Sequence, residues 1–336
     1  MKIIVPMAGM GKRMRPHTLT VPKPLIPIAG KPIVKRLVED IAKVCDETID
    51  EVAFIIGDFG DEVEQTLIEI AEGIGAKGSI CYQREALGTA HAILCAQEYL
   101  KGKVVVAFAD TLFKANFKLD DNQDGIIWTS RVEDPSAFGV VKQNENGTVE
   151  AFVEKPEEFI SDLAIIGIYY FKDGEYLKDE LQYLIDNDVR IKGGEFGLTD
   201  ALENMNKKGT SFSIDTVDEW LDCGNKNATV YTNQRVLEFI KDENISKNNA
   251  TINNSQIIEP CYFGEGVVIE NSTVGPHVSL GEGTKIVDSK IQNTIIQSNS
   301  MLTKAELSNS MIGNFVVFSG KSTDASIGDY SQLILN

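Results

Sequence analysis

A chain of 336 residues has room for two domains of ordinary size. Its formal net charge of −18 argues against a nucleic acid or an anionic membrane as partner, since both demand a cationic face. No apolar run is long enough to span a bilayer, and the N-terminus reads as a strand without a cleavable signal pattern, so the expected location is cytoplasmic.

The first element is a buried strand, the β-branched run Ile3-Ile4-Val5, broken by Gly9 and Gly11 and limited by Pro16. A strand that opens into a glycine loop leaves backbone N–H groups uncovered, and such a nest attracts phosphate oxygens. Lys12, Arg13, Arg15 and Lys23 add four cations, which in so acidic a chain asks for an anionic ligand. The loop is not a dinucleotide fingerprint, which would need a third glycine where Met14 stands. Nor is it a Walker loop, because Arg13 rather than Ser or Thr follows Lys12.

Ile33, Leu37, Ile41 and Val44 then recur at helical spacing and predict a helix over Pro32–Cys45. Val52–Ile56 reads as a strand, Asp61–Ala71 as a helix, Ile80–Gln83 as a strand and Gly88–Leu100 as a helix. Lys103–Ala109 is a continuous apolar strand ending on Asp110. This alternation predicts a parallel sheet covered by helices, with ligands at the carboxyl ends of its strands. The opening loop, Gln83 and Asp110 all fall at such ends.

From Gly125 the pattern changes to strands with short turns: Gly125–Arg131, Phe138–Lys142, Val149–Glu154 and Ala164–Phe171, with a hairpin at Asn146-Gly147. Asp173–Ile185 is helical, and Phe196-Gly-Leu-Thr-Asp-Ala-Leu202 leads into another helix. A strand over Ser211–Val217 and a closing helix over Ala228–Ile240 complete a first domain spanning 1–240. Residues 241–250 are polar and unpatterned, as a linker would be.

The remainder, 251–336, is a repeat: Ser255–Asn271 and Ser272–Asp288 align without gaps, and a more degenerate copy starts at Ser289. Single apolar residues recur every five or six positions, at Ile257, Phe263, Ile269, Val274, Leu280, Ile286 and Ile291. That period suits a parallel β-helix whose coils turn three corners and stack apolar residues inward. The five cysteines (Cys45, Cys81, Cys95, Cys223, Cys261) show no metal-ligand spacing and read as reduced, small apolar residues. His17, His91 and His277 are isolated, so no histidine metal site is expected.

The opening stretch, Ala8-Gly9-Met10-Gly11-Lys12-Arg13-Met14-Arg15-Pro16 followed by Pro22-Lys23-Pro24, resembles the sugar-1-phosphate nucleotidylyltransferases. Their pattern runs A-G-x-G-x-R-x-x-P and then P-K-P; Lys12 stands where that family usually has Thr or Ser. The resemblance extends to Trp220-Leu-Asp-Cys-Gly224, similar to W-x-D-x-G, and to Glu154-Lys155-Pro156. It covers nearly the whole chain, and the repeat resembles the left-handed β-helix of hexapeptide-repeat proteins, as in the long form of the glucose-1-phosphate thymidylyltransferases.

The resemblance implies a Rossmann-like α/β nucleotidyltransferase domain with a mixed sheet, followed by a left-handed parallel β-helix. It implies that Ala8, Gly9, Gly11 and Arg13 bind nucleotide phosphates, with Gln83 and backbone at Gly88 reading a pyrimidine base. An amide can donate and accept at once, which suits the imide edge of uracil or thymine. It further implies that Asp110 and Asp222 hold Mg²⁺ with phosphates, where either carboxylate by itself would read as a cap. Glu154 would meet sugar hydroxyls, Lys155 the sugar phosphate, and Gly139 and Asp200 would line the sugar site; Asp200 also fits a plain helix N-cap.

The expected reaction joins a nucleoside triphosphate to a sugar 1-phosphate, with Arg13, Lys23, Asp110 and Asp222 as catalytic residues. Ile165-Ile166-Gly167 stands where family members that take N-acetyl sugars often carry N-A-G, and together with Gln83 the resemblance points to dTTP or UTP with glucose 1-phosphate. Leu87-Gly-Thr-Ala90 also resembles guanylyltransferases, so GTP with mannose 1-phosphate is the runner-up. A non-catalytic sugar-nucleotide sensor and an acyltransferase using His277 are rivals of other classes. The flat β-helix and its apolar last segment, Ser331–Asn336, predict a homo-oligomer.

Overall fold

The computed structural model describes residues 1–145, 147–191, 193–243 and 250–335. They form two compact units: Met1–Gly9 with Leu37–Trp220, and Met10–Arg36 with Leu221–Asn336. Among the described residues no helix is long and apolar enough to cross a membrane.

The first unit is built on a mixed sheet. Its core strands are the apolar runs read from the sequence, observed as Lys2–Pro6, Glu51–Ile56, Lys77–Tyr82 and Val104–Ala107. These pair in parallel, with Lys2–Pro6 between Val104–Ala107 and Glu51–Ile56. Leu163–Phe171 joins antiparallel to Val104–Ala107 and carries Gly139–Gln143, Val149–Glu154 and Gly125–Arg131 beyond it. The 139–143 and 149–154 strands form the expected hairpin; of the turn pair itself, Asn146 lies outside the described residues.

The apolar face that periodicity singled out in the first helix is buried. In α1 (Ile33–Val44) the positions Ile33, Leu37, Ile41 and Val44 are all buried. α2 spans Asp61–Glu72, and α4 (Gly174–Asp186) is capped by Asp173, whose carboxylate accepts from the Tyr176 N–H. α3 is only Thr89–Leu94, shorter than the expected Gly88–Leu100. After it the chain tightens into i−3 hydrogen bonds (Ala96 to Ile93, Gln97 to Leu94, Tyr99 to Ala96) that still bring Leu100 into the core.

The second unit contains α6 (Lys226–Phe239), the loop 10–36 and the repeat. The repeat is a parallel β-helix with strands stacked in three columns. Ala250, Val267 and Cys261, for example, each start a strand that pairs in parallel with the next coil. Cross-coil serine bonds show its period: Ser255 to Ser272 and Ser272 to Ser289 are 17 residues apart. Ser289 to Ala305 is 16, and Ser310 to Ala325 is 15. The stack of Phe263, Ile269, Val274, Leu280, Ile286 and Ile291 is buried inside, with Ile257 partly buried at its start. Of the expected linker, residues 244–249 lie outside the described residues, and the first strand begins at Ala250.

Candidate active site

In the second unit, Gly11 turns the opening loop in the left-handed region (φ 55°) before a short 3₁₀ turn, Lys12–Met14. Thr18 Oγ1 donates to the Gly11 carbonyl at 2.8 Å and closes the loop on itself. The Lys23 stem lies beside Gly11, where an added Cβ would sit 3.1 Å from Lys23 Cβ. Met14 is fully buried against α6, with its sulfur 3.5 Å from Thr229 Oγ1, so its neighbour Arg13 is held at the surface.

Asp222 belongs to the same unit. Its carboxylate accepts from the Gly224 N–H at 2.9 Å, and its carbonyl accepts from Thr232 Oγ1 at 2.8 Å. A Cβ at Gly224 would fall 2.9 Å from Asp222 Oδ1 and 3.4 Å from Arg13 Nη2. Arg13 and Asp222 therefore flank one glycine, and α6 supports both through Thr229 and Thr232.

The first unit holds the remaining sequence-predicted residues, most of them in two groups. Gln83 follows the Lys77–Tyr82 strand; its Nε2 donates to the Gly88 carbonyl at 3.2 Å and meets His91 Nδ1 at 3.1 Å. Gly88 has φ 113°, and a Cβ there would collide with the Phe196 carbonyl. Burial pushes the His91 pKa down, against the pull of Glu85. The neutral imidazole then accepts at Nδ1, both Gln83 amide hydrogens are engaged, and Oε1 is left as an acceptor.

The second group surrounds Gly139. A Cβ on it would lie 3.0 Å from Glu154 Oε2, 3.5 Å from Ile165 Cδ1 and 3.9 Å from Thr199 Oγ1. Thr199 Oγ1 donates to Glu154 Oε2 at 3.0 Å, and Lys155 Nζ lies 3.6 Å from Glu154 Oε1. Asp200 lies in the first turn of α5 (Leu198–Lys207), whose N-cap is Gly197, so it does not cap the helix. Burial, with Glu154 and Glu203 nearby, raises its pKa.

Asp110 follows the Val104–Ala107 strand in a turn before Thr111–Lys114. Ala8 and Gly9 close the first segment of this unit, with Gly9 exposed and open space where its Cβ would be. Among the described residues no cluster of three or more His, Cys, Asp or Glu could hold a metal ion unaided. Asp110 and Asp222 are hard oxygen donors of the kind that Mg²⁺ takes alongside water and phosphate oxygens, so the donor chemistry fits that ion.

Two groups escaped the sequence reading. His91 looked like an isolated histidine, although its place one turn into the helix opened by Gly88 could have tied it to Gln83. Thr199 stood only as the neighbour of Asp200, with no role of its own. His277, far from these groups in sequence, has Nε2 bonded to Glu238 Oε1 at 2.7 Å.

The first unit is thus a mixed-sheet α/β fold with Gln83 and Asp110 following its parallel strands. The family model described as nucleotidyl transferase matches residues 2–238. The chain belongs to this family and is a sugar-1-phosphate nucleotidyltransferase. It is 31% identical to a glucose-1-phosphate thymidylyltransferase of Streptomyces antibioticus, over 94% of this chain and 93% of that one. It is 29% identical to the low-salt glycan biosynthesis nucleotidyltransferase Agl11 of Haloferax volcanii, over 93% and 92%. Among solved structures, UDP-glucose pyrophosphorylase complexed with UDP-glucose matches in fold with a TM-score of 0.58. That match has 24% identity and covers 71% of this chain and 98% of that chain.

Proposed function

We propose that the enzyme transfers a nucleotidyl group from dTTP or UTP to glucose 1-phosphate, releasing pyrophosphate. The observation that carries the choice of base is the Gln83 amide. With both hydrogens engaged by Gly88 and His91, Oε1 accepts from a base that presents an imino N–H. Thymine and uracil do so at N3; cytosine presents a lone pair there. The bare Gly139 beneath the Glu154 carboxylate and Thr199 hydroxyl supports a sugar lying against the backbone. The relatives named for glucose-1-phosphate thymidylyltransfer favour the same pair of substrates.

In this reading a phosphate oxygen of glucose 1-phosphate attacks the α-phosphorus in line. One P–O bond forms while the α–β bridge breaks, and the electron pair leaves on pyrophosphate. Two anions must be brought together, so the protein contributes position and charge. Arg13 holds the outgoing phosphates over the N–H groups of Gly9 and Gly11. Lys23 and Lys155 hold the incoming phosphate, and Asp200 and Glu154 orient the sugar. Asp110 and Asp222 would hold Mg²⁺, which when bound supplies neutralisation of the triphosphate charge. The chemistry is assigned to 1–240, and 251–336 to a β-helix that also mediates homo-oligomer contact.

A matrix of nucleoside triphosphates against sugar 1-phosphates, read by pyrophosphate release, tests the reading. Highest kcat/KM for dTTP or UTP with glucose 1-phosphate is expected. Guanine also presents an imino N–H, so a preference for GTP with mannose 1-phosphate would replace this substrate pair. Asp110→Asn and Asp222→Asn variants that both kept near wild-type turnover would refute the metal assignment.

A further inference from the structure

The loop that carries Arg13 and Lys23 is seated on the β-helix. At its far side His17 is buried, with Nε2 3.1 Å from Ser326 Oγ, and Thr20 Oγ1 donates to Asp329 Oδ2 at 2.6 Å. Between these bonds Gly328 lies so close to Pro16 that a Cβ on it would sit 2.8 Å from Pro16 Cβ. All three contacts reach the same stretch, 326–329, in the last coil.

The carboxylate that meets Thr20 is itself fixed. Asp329 Oδ1 accepts from the Asn314 N–H at 2.7 Å, and Asn314 Nδ2 lies 3.2 Å from Oδ2. Two residues before Thr20, the Thr18 hydroxyl fastens the Gly11 carbonyl. The route from the last coil to the phosphate loop is thus short: Asp329, Thr20, Thr18, Gly11, with Arg13 and Lys23 on either side of that closure. The opposite end of the same segment is also tied down. The Tyr262 ring of an early coil lies on Gly30, and Asn233 Oδ1 accepts from both the Ala29 N–H (3.0 Å) and Ser279 Oγ (2.7 Å).

We propose that Asp329 and Thr20 are positioning residues of the transferase, through which the last β-helix coil sets the shape of the phosphate loop. The inference rests on reading Arg13 and Lys23 as phosphate-binding, and it makes the β-helix part of the catalytic apparatus. Because coupling is reciprocal, phosphate binding at the loop must in turn steady the 326–335 segment.

The test uses the full chain. Asp329→Ala and Thr20→Val should each lower kcat/KM about fivefold, mostly through KM for the triphosphate, and the double variant should be no worse than either. Asp329→Asn keeps one acceptor oxygen for the Asn314 N–H and offers the Thr20 hydroxyl an amide N–H in place of Oδ2, so it should recover part of the loss. Hydrogen exchange should show dTTP protecting both the 10–25 peptides and the 326–335 peptides in the wild type, and only the former in Thr20→Val. Protection at 10–25 without any at 326–335, or additive losses in the double variant, would overturn the coupling while leaving the phosphate loop intact. No protection at 10–25 by dTTP, nor by pyrophosphate, would instead overturn the phosphate-loop reading and this inference with it.

Discussion

Gln83 and His91 are bonded to each other, amide Nε2 to imidazole Nδ1 at 3.1 Å, and the pair decides which way the amide faces. Without His91 the Gly88 carbonyl holds only one amide hydrogen, and the side chain is freer to turn its nitrogen outward. His91→Phe is therefore expected to lower the preference for dTTP over dCTP about tenfold while leaving KM for the sugar phosphate unchanged. Competing-substrate kcat/KM ratios check this. An unchanged ratio would mean that the amide is oriented by Gly88 alone.

Gly139 tests the sugar side. A methyl group at this position would stand 3.0 Å from Glu154 Oε2 and push the carboxylate off the strand. For Gly139→Ala we expect KM for the sugar 1-phosphate to rise about tenfold, with KM for the nucleoside triphosphate within twofold of wild type. Steady-state kinetics with each substrate varied in turn separate the two. Equal increases for both would place the damage elsewhere.

His17 should make stability depend on pH. Burial, with a small contribution from Lys226 and opposed by Asp329, brings its pKa from 6.5 to about 4. The native state thus keeps the ring neutral where the unfolded chain takes up a proton. This contribution is fully present above pH 6.5 and is lost as pH falls from 6.5 towards 4, by roughly 3 kcal/mol in all. Urea midpoints at several pH values should fall more steeply across this window in the wild type than in His17→Gln. Parallel curves would show that the ring is protonated in the native state.

Assembly is tested at the last strand. Gln332–Ile334 closes its column of the β-helix, and Leu333, Ile334 and Leu335 are 37%, 60% and 43% exposed. An apolar strand at the end of a parallel stack invites another edge. Ile334→Glu should shift the molar mass seen by light scattering at micromolar concentration from an oligomer to a monomer. A wild-type monomer, or an oligomer indifferent to the substitution, would assign the contact to another surface or to none.

How much of this was open to a reader of the sequence depends on the range of each interaction. The parallel strands Lys2–Pro6, Glu51–Ile56 and Val104–Ala107 are runs of β-branched residues because both faces of the sheet are covered. The run itself therefore carries the message. The β-helix was equally legible, because every coil repeats the same inward positions, from Phe263 to Leu280 to Ile296. Gln83, Gly88, Gly139 and Glu154 stood out because they sit in short motifs at strand ends.

What the tertiary structure alone decided lies in pairings that leave no local trace. Thr20 and Asp329 are 309 residues apart, as are His17 and Ser326, and neither bond imposes a pattern on its own stretch. The buried side of α6 includes Thr229, Thr232 and Asn233, polar residues that reach Met14, the Asp222 carbonyl, and the Ala29 N–H with Ser279, so hydropathy could not show what that helix holds. The sequence determined the elements, the repeat and the chemistry available to the site. Packing decided that the loop bearing Arg13 and Lys23 belongs with the β-helix, because a hydrogen bond between distant side chains is specified by the fold and not by its neighbours in the chain.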